Sequence, residues 1–198
     1  MKTFYLTLAA LSLGACSASQ SAPAEAQDTL ATPAAAQSTM QTDTAIFAGG
    51  CFWCTESDFE KVPGVISAVS GYTGGHTENP TYKDVTYKNT GHYEAVKVTF
   101  DPDQVSYGEL VEYYWTTVDP TDPAGQFCDK GDSYRTAIFA QPGQLETAVT
   151  SKTNLAGTKP FAAPIVTPVL PVSTFYDAEG YHQDYYKKNP LRYKYYRN

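Results

Sequence analysis

Residues 49–65 read GGCFWCTESDFEKVPGV. Two glycines lead into a cysteine, a second cysteine follows three positions on, and Phe52 and Trp53 fill the interval. The preceding run TAIFAG (44–49) has the apolar content of a short buried strand. The following CTESDFEKV (54–62) reads as a short helix, with Phe52 and Phe59 seven apart on its inner face and VPG ending it. Strand, glycine turn, cysteine and helix in that order place Cys51 at a helix N-terminus. Free backbone N–H groups and the helix dipole favour a thiolate there. Glu56, Asp58 and Glu60 oppose that charge, so the arrangement also calls for a nearby donor. Cys54, one turn on, shares the face of Cys51.

Working outward, VISAVSGY (65–72) alternates as a second strand and EAVKVTFDP (94–102) as a third. Residues 106–118 carry apolar side chains at 107, 110, 111, 114, 115 and 118, an amphipathic helix. A strand over 134–140, a helix over 141–157 and a proline-limited edge strand over 163–172 complete the pattern. The order is that of an α+β domain, a sheet with helices packed on it. Two long loops, 73–92 and 119–133, are the natural carriers of a site on this scaffold.

The ends of the chain read differently. MKTFYLTLAALSLGAC (1–16) has a positive start at Lys2, an apolar run too short to span a bilayer, and small residues after it. Its LGAC resembles the lipobox of bacterial lipoproteins, which implies a signal peptide over 1–15 and lipid attachment at Cys16. Secretory cleavage after AEA (24–26) is the alternative, and either route takes the mature protein out of the cytoplasm to the cell envelope. Residues 16–43, rich in Ala, Ser, Gln, Thr and Pro, lack the apolar content to offset chain entropy and read as a disordered tether. One domain then runs over 44–198. The last residues, YKKNPLRYKYYRN (186–198), are basic and aromatic and read as a solvated tail with tyrosines on the domain surface.

The 198 residues carry a formal charge of −7, which argues against a nucleic-acid partner. Apart from Cys16 there are three cysteines, Cys51, Cys54 and Cys128. An odd count in an exported chain points to a thiol kept reactive. With three histidines in the chain and no second CxxC, a zinc site is not supported. A thioredoxin-like exchanger would account for CFWC alone, and an envelope lipoprotein that binds through its aromatic surface would treat CFWC as structural.

GCFW (50–53), GYTGG (71–75), NPTY (79–82), GHYEAV (91–96), DPTDP (119–123), DKGDSYRTAIF (129–139) and YHQDYYKKNP (181–190) occur in one order. In that order the chain resembles the peptide methionine sulfoxide reductase A family over residues 45–190. The resemblance implies an α+β fold with a mixed sheet, and reduction of the S epimer of methionine sulfoxide, free or in proteins. Carried onto this sequence, it makes Cys51 the nucleophile and Glu94 the general acid, kept protonated by desolvation. Tyr82 and Tyr134 become hydrogen-bond donors to the sulfoxide oxygen, Phe52 and Trp53 a methyl-binding wall, and Asp129 a polar partner close by.

Reduction leaves Cys51 as a sulfenic acid, which a second thiol must condense with. The tail of this chain has no cysteine, unlike that of many relatives, which leaves Cys54, the favoured candidate, Cys128, or direct rescue by an external thiol for that role. Bridging Cys51 to Cys54 across a helical turn strains the bond. No metal or organic cofactor is implied. An external thioredoxin-like dithiol supplies electrons, and the enzyme is expected to act as a monomer.

Overall fold

The computed structural model describes residues 41–158 and 160–197. The expected signal peptide, Cys16 and nearly all of the expected tether lie outside them. In chain order the elements are β1 (Asp43–Gly49), α1 (Phe52–Phe59), β2 (Val65–Thr73), α2 (Tyr82–Tyr87), β3 (Tyr93–Phe100) and α3 (Tyr107–Thr117). They continue with β4 (Gly125–Gln126), β5 (Asp129–Lys130), β6 (Thr136–Ala140), α4 (Leu145–Thr158), β7 (Val169–Pro171), β8 (Tyr176–Asp177), α5 (Tyr185–Lys188) and α6 (Pro190–Arg197).

Six strands form one sheet in the order β7-β6-β1-β3-β2-β8. Its pairs are antiparallel except β6 with β7, which is parallel, so the sheet is mixed. Alternation along β1 sends Ala45 and Phe47 to one face and Ile46 and Ala48 to the other, and both sets are buried. On the first face Phe47 stacks on Phe59 of α1 at 4.7 Å and on Tyr114 of α3 at 5.2 Å. Smaller packing of Ala95, Ala137 and Phe139 against Leu170 and Phe175 covers the second.

Local chemistry explains the boundaries. Ser106 caps α3 in a reciprocal box with Glu109, which ends the expected helix one residue short at each side. Prolines at 164 and 168 donate no backbone hydrogen, and the expected strand over 163–172 shrinks to Val169–Pro171. The expected loop over 73–92 contains α2, which starts at a second capping box, Thr81 with Asp84. The loop over 119–133 folds back on itself as the β4–β5 hairpin, with Phe127 and Cys128 at its tip. The segment expected as a plain tail instead forms α5 and α6.

Candidate active site

Three elements converge on Cys51. β1 ends at Gly49, and Gly50 turns the chain at φ +85°, where a Cβ would stand 2.5 Å from the Gln126 side chain of the hairpin. Cys51 follows as the N-cap of α1 with non-helical φ −56° and ψ 118°, and its carbonyl accepts from the N–H of Cys54 at 3.1 Å. β3 then supplies Glu94, whose backbone pairs with Tyr72 of β2. The Phe52 N–H, first of the helix, donates to Glu94 Oε2 at 3.1 Å, so the free end of α1 meets that carboxyl group.

Glu94 is 1% exposed. Burial pushes its pKa up to about 8, and Asp129 adds to the rise, against the hydrogen bonds from Phe52 and Tyr134. At neutral pH the group is therefore mostly an acid with a proton to give. Tyr82 and Tyr134 hydrogen-bond to each other, and burial pushes both phenols upward, so both stay as O–H donors. A cavity of about 160 Å³ is lined by Cys51, Phe52, Trp53, Tyr82, Glu94 and Tyr134, with Asp129 and Tyr196 at its edge. Of the nine active-site residues expected from the sequence, all but Cys54 and Cys128 line this one space.

Those two cysteines line a neighbouring space that also borders Cys51. A second, larger cavity of about 320 Å³ is lined by Cys51, Cys54, Asp58, Cys128, Asp129 and Arg197, among others. Cys54 is half-buried, Cys128 exposed, and the three thiols are all reduced. The Cys51 thiol does not behave as a simple helix-end thiolate. Its hydrogen bond to Cys54 and burial raise it, with smaller contributions from Glu94, where that group is ionised, and from Asp129. Cys54 carries the charge more readily: the bond from Cys51 pulls it to about 7, against burial, and Arg197 adds to the fall. The thiolate expected at Cys51 is thus disfavoured there and favoured at Cys54, first because the pair shares a hydrogen bond that raises one and lowers the other, and then because Cys51 is the more buried.

The three opposing acids of α1 each have a partner. Glu56 accepts from Ser70 Oγ at 2.7 Å and from the Asp184 N–H at 2.8 Å. Glu60 pairs with Lys187 at 2.6 Å and Asp58 with Arg197 at 2.7 Å.

Sequence reasoning missed several supporting residues. Arg197 and Tyr196 come from the end of α6, and Tyr196 donates its hydroxyl to Asp129. The tail is not merely solvated. Glu179 accepts from Tyr72 Oη and from the Tyr82 N–H, both at 2.9 Å, and so seats the start of α2 beside the cavity. His182 is buried behind the aromatic wall, and burial lowers its pKa. Its Nδ1 accepts from Trp53 Nε1 at 3.1 Å, and Tyr185 stacks on Trp53 at 3.7 Å, so the indole is held from both sides. YHQDYYKKNP held both residues in plain view, but a role for them needs the tertiary contact.

A buried thiol facing a protonated carboxyl group, with a second thiol in hydrogen-bond contact behind it, defines a cysteine-based oxidoreductase. The profile of the family described as "Peptide methionine sulfoxide reductase" matches residues 43–198, and the chain belongs to that family. It is 55% identical over 157 residues to peptide methionine sulfoxide reductase MsrA 2 of Caulobacter vibrioides, covering 79% of this chain and 80% of that protein. With the Bacillus subtilis MsrA it shares 54% over 156 residues, 78% of this chain and 88% of the other. Methionine sulfoxide reductase A of Corynebacterium diphtheriae superposes with a TM-score of 0.68 at 37% identity, covering 76% of each chain. Reduced Mxr1 of Saccharomyces cerevisiae gives 0.71 at 30% identity, covering 76% of this chain and 87% of that one. The α+β fold with a mixed sheet is thus the fold of the family.

Proposed function

We propose that the chain reduces the S epimer of methionine sulfoxide, free or in proteins, to methionine through a sulfenic acid on Cys51. The observation that carries this reading is Glu94, a buried carboxyl group held as an acid to about pH 8 and anchored by the N–H next to Cys51. A sulfoxide oxygen leaves only when protonated, and this site offers a proton with two phenol donors beside it. The substrate methyl lies against Phe52 and Trp53, where no acceptor competes for it.

The proton balance supports the assignment. Glu94 gives its proton to the sulfoxide oxygen as Cys51 Sγ attacks the substrate sulfur. The Cys51 proton passes along its hydrogen bond to Cys54. The oxygen transfers to Cys51 as S–OH and methionine departs. Cys54 then attacks Cys51 Sγ, the S–S bond forms, and the hydroxyl leaves as water with the Cys54 proton. Because Cys51 is an N-cap with extended ψ, its side chain sits outside the helical turn, which favours Cys54 over the exposed Cys128 as the resolving thiol. A thioredoxin-like dithiol outside the cytoplasm then reduces the disulfide. The signal-like start and Cys16 support a lipid-anchored enzyme of the cell envelope.

DTT-driven turnover of the two separated epimers of N-acetyl-methionine sulfoxide tests the reaction. Methionine is expected from the S epimer alone, with none from Cys51→Ser. Turnover of neither epimer by reduced wild-type protein would remove the reading. Incorporation of labelled fatty acid in cells, lost in Cys16→Ala, tests the anchor.

A further inference from the structure

We propose that Arg197, delivered by α6, is the positioning residue that holds Cys54 as the attacking thiolate in the recycling step. The inference rests on Cys54 being the resolving thiol. It concerns how the part of the site that borders the neighbouring space is armed.

Geometry places the guanidinium there. Arg197 Nη2 donates to Asp58 Oδ2 at 2.7 Å, and Asp58 lies four residues beyond Cys54 on α1, on the same helical face. The same guanidinium lies close enough to Cys54 for its charge to favour the Cys54 thiolate. Arg197, Cys54 and Asp58 all line the larger cavity with Cys51. Its neighbour Tyr196 donates to Asp129 across that cavity, so two consecutive residues pin the end of α6 over the thiols. A planar fork held by a buried carboxylate presents its remaining N–H groups in a fixed direction, toward Cys54.

The groups that face Cys54 explain why the cation matters. They are Cys51, Asp58, Glu94, Tyr193 and Arg197. Asp58 and Glu94 disfavour a thiolate, and Tyr193 carries no positive charge. In the resting enzyme the Cys51 thiol donates to Cys54. Once Cys51 is a sulfenic acid that S–H donor is gone, and the cation among these groups is Arg197. In the step it assists, Cys54 Sγ forms a bond to Cys51 Sγ, the Cys51 S–O bond breaks, and hydroxide leaves as water with the proton Cys54 gave up. The Cys51 sulfur is reduced and the Cys54 sulfur oxidised by one electron each, so no further reductant enters.

The test uses the full chain with Cys16→Ala and Cys128→Ser, so that Cys51 and Cys54 are the thiols observed. Reduced protein is mixed with excess methionine-S-sulfoxide without reductant. Formation of the Cys51–Cys54 disulfide is followed from pH 6 to 10 by acid quench, alkylation and mass spectrometry. Raising the Cys54 pKa removes thiolate but makes the remainder more nucleophilic, and the two together slow disulfide formation in Arg197→Gln by about five-fold at pH 7. The gap closes at the alkaline end, sulfenic acid accumulates to dimedone labelling at pH 7, and Arg197→Lys restores at least half of the lost rate. A pH profile in Arg197→Gln that overlays the parent overturns the proposal, and so does a slowing equal at every pH that Lys does not repair. If the parent itself releases methionine yet forms no Cys51–Cys54 disulfide, the assignment of Cys54 falls, and Arg197 with it.

Discussion

The two spaces that meet at Cys51 differ in size and in the charged groups that line them. One is a space of about 160 Å³ walled by Phe52, Trp53 and two tyrosines, with a carboxyl group that burial keeps neutral. The other is a space of about 320 Å³ edged by Asp58, Asp129 and Arg197 and open to solvent at Cys128. The first suits an uncharged, polar S–O group beside a proton donor. The second suits a thiolate and a dithiol arriving from outside. Under the proposed reaction one sulfur atom, Cys51 Sγ, would serve both steps, since Cys51 borders both spaces.

The division can be broken most severely at Glu94. Glu94→Gln keeps an acceptor for the Phe52 N–H but removes the acid, and the first-turnover rate of methionine release is expected to fall by about 10²–10⁴-fold. A loss under ten-fold, measured by rapid quench, would place the acid elsewhere. Cys54→Ser removes the resolving thiol. It is expected to release about one methionine per enzyme and then stall without an external thiol, whereas Cys128→Ser continues to a disulfide. Counting methionine against free thiols separates the two.

Smaller effects sharpen the picture. Tyr82→Phe and Tyr134→Phe are each expected to slow first turnover by about ten-fold, the scale of one hydrogen bond to developing charge. Because the two phenols bond to each other, the double variant should lose less than the product of the two losses. The pH dependence has a worked sign. Glu94 has a folded pKa raised to about 8, so its acid form is complete well below that value and is lost as pH rises through it. First turnover should therefore decline above pH 8, and a rate still climbing through pH 9 would contradict the account.

How much of this was legible in the sequence depends on whether a residue announces itself locally. The strand–glycine–cysteine–helix order around Cys51 is written in consecutive residues, and α3 is written in the spacing of its apolar positions. Glu94 and Tyr134 were readable because they sit inside ordered family strings. The short elements were not. α2 and the β4–β5 hairpin lie in polar, glycine- and proline-rich sequence, where a capping box or a tight turn decides the structure rather than a repeating pattern. Arg197 was the least readable. None of the residues of α6 is buried, so no apolar stripe points to its docking, and its place beside Cys54 exists only because Asp58 and Asp129 receive it. The direction of the thiol charge was misread for a related reason. Helix position is local, whereas the sharing of a proton with Cys54 and the burial of Cys51 depend on side-chain placement in the folded site.

The protonation of Glu94 carries the whole assignment of roles, and it is directly observable. Infrared difference spectra between wild-type protein and Glu94→Gln isolate the C=O stretch of a protonated carboxyl group as pH is raised. The account predicts a band that persists through neutral pH and titrates away with a midpoint about 8. A band already lost below pH 6 would show Glu94 as an ordinary carboxylate, and the acid that releases the sulfoxide oxygen would have to be another group.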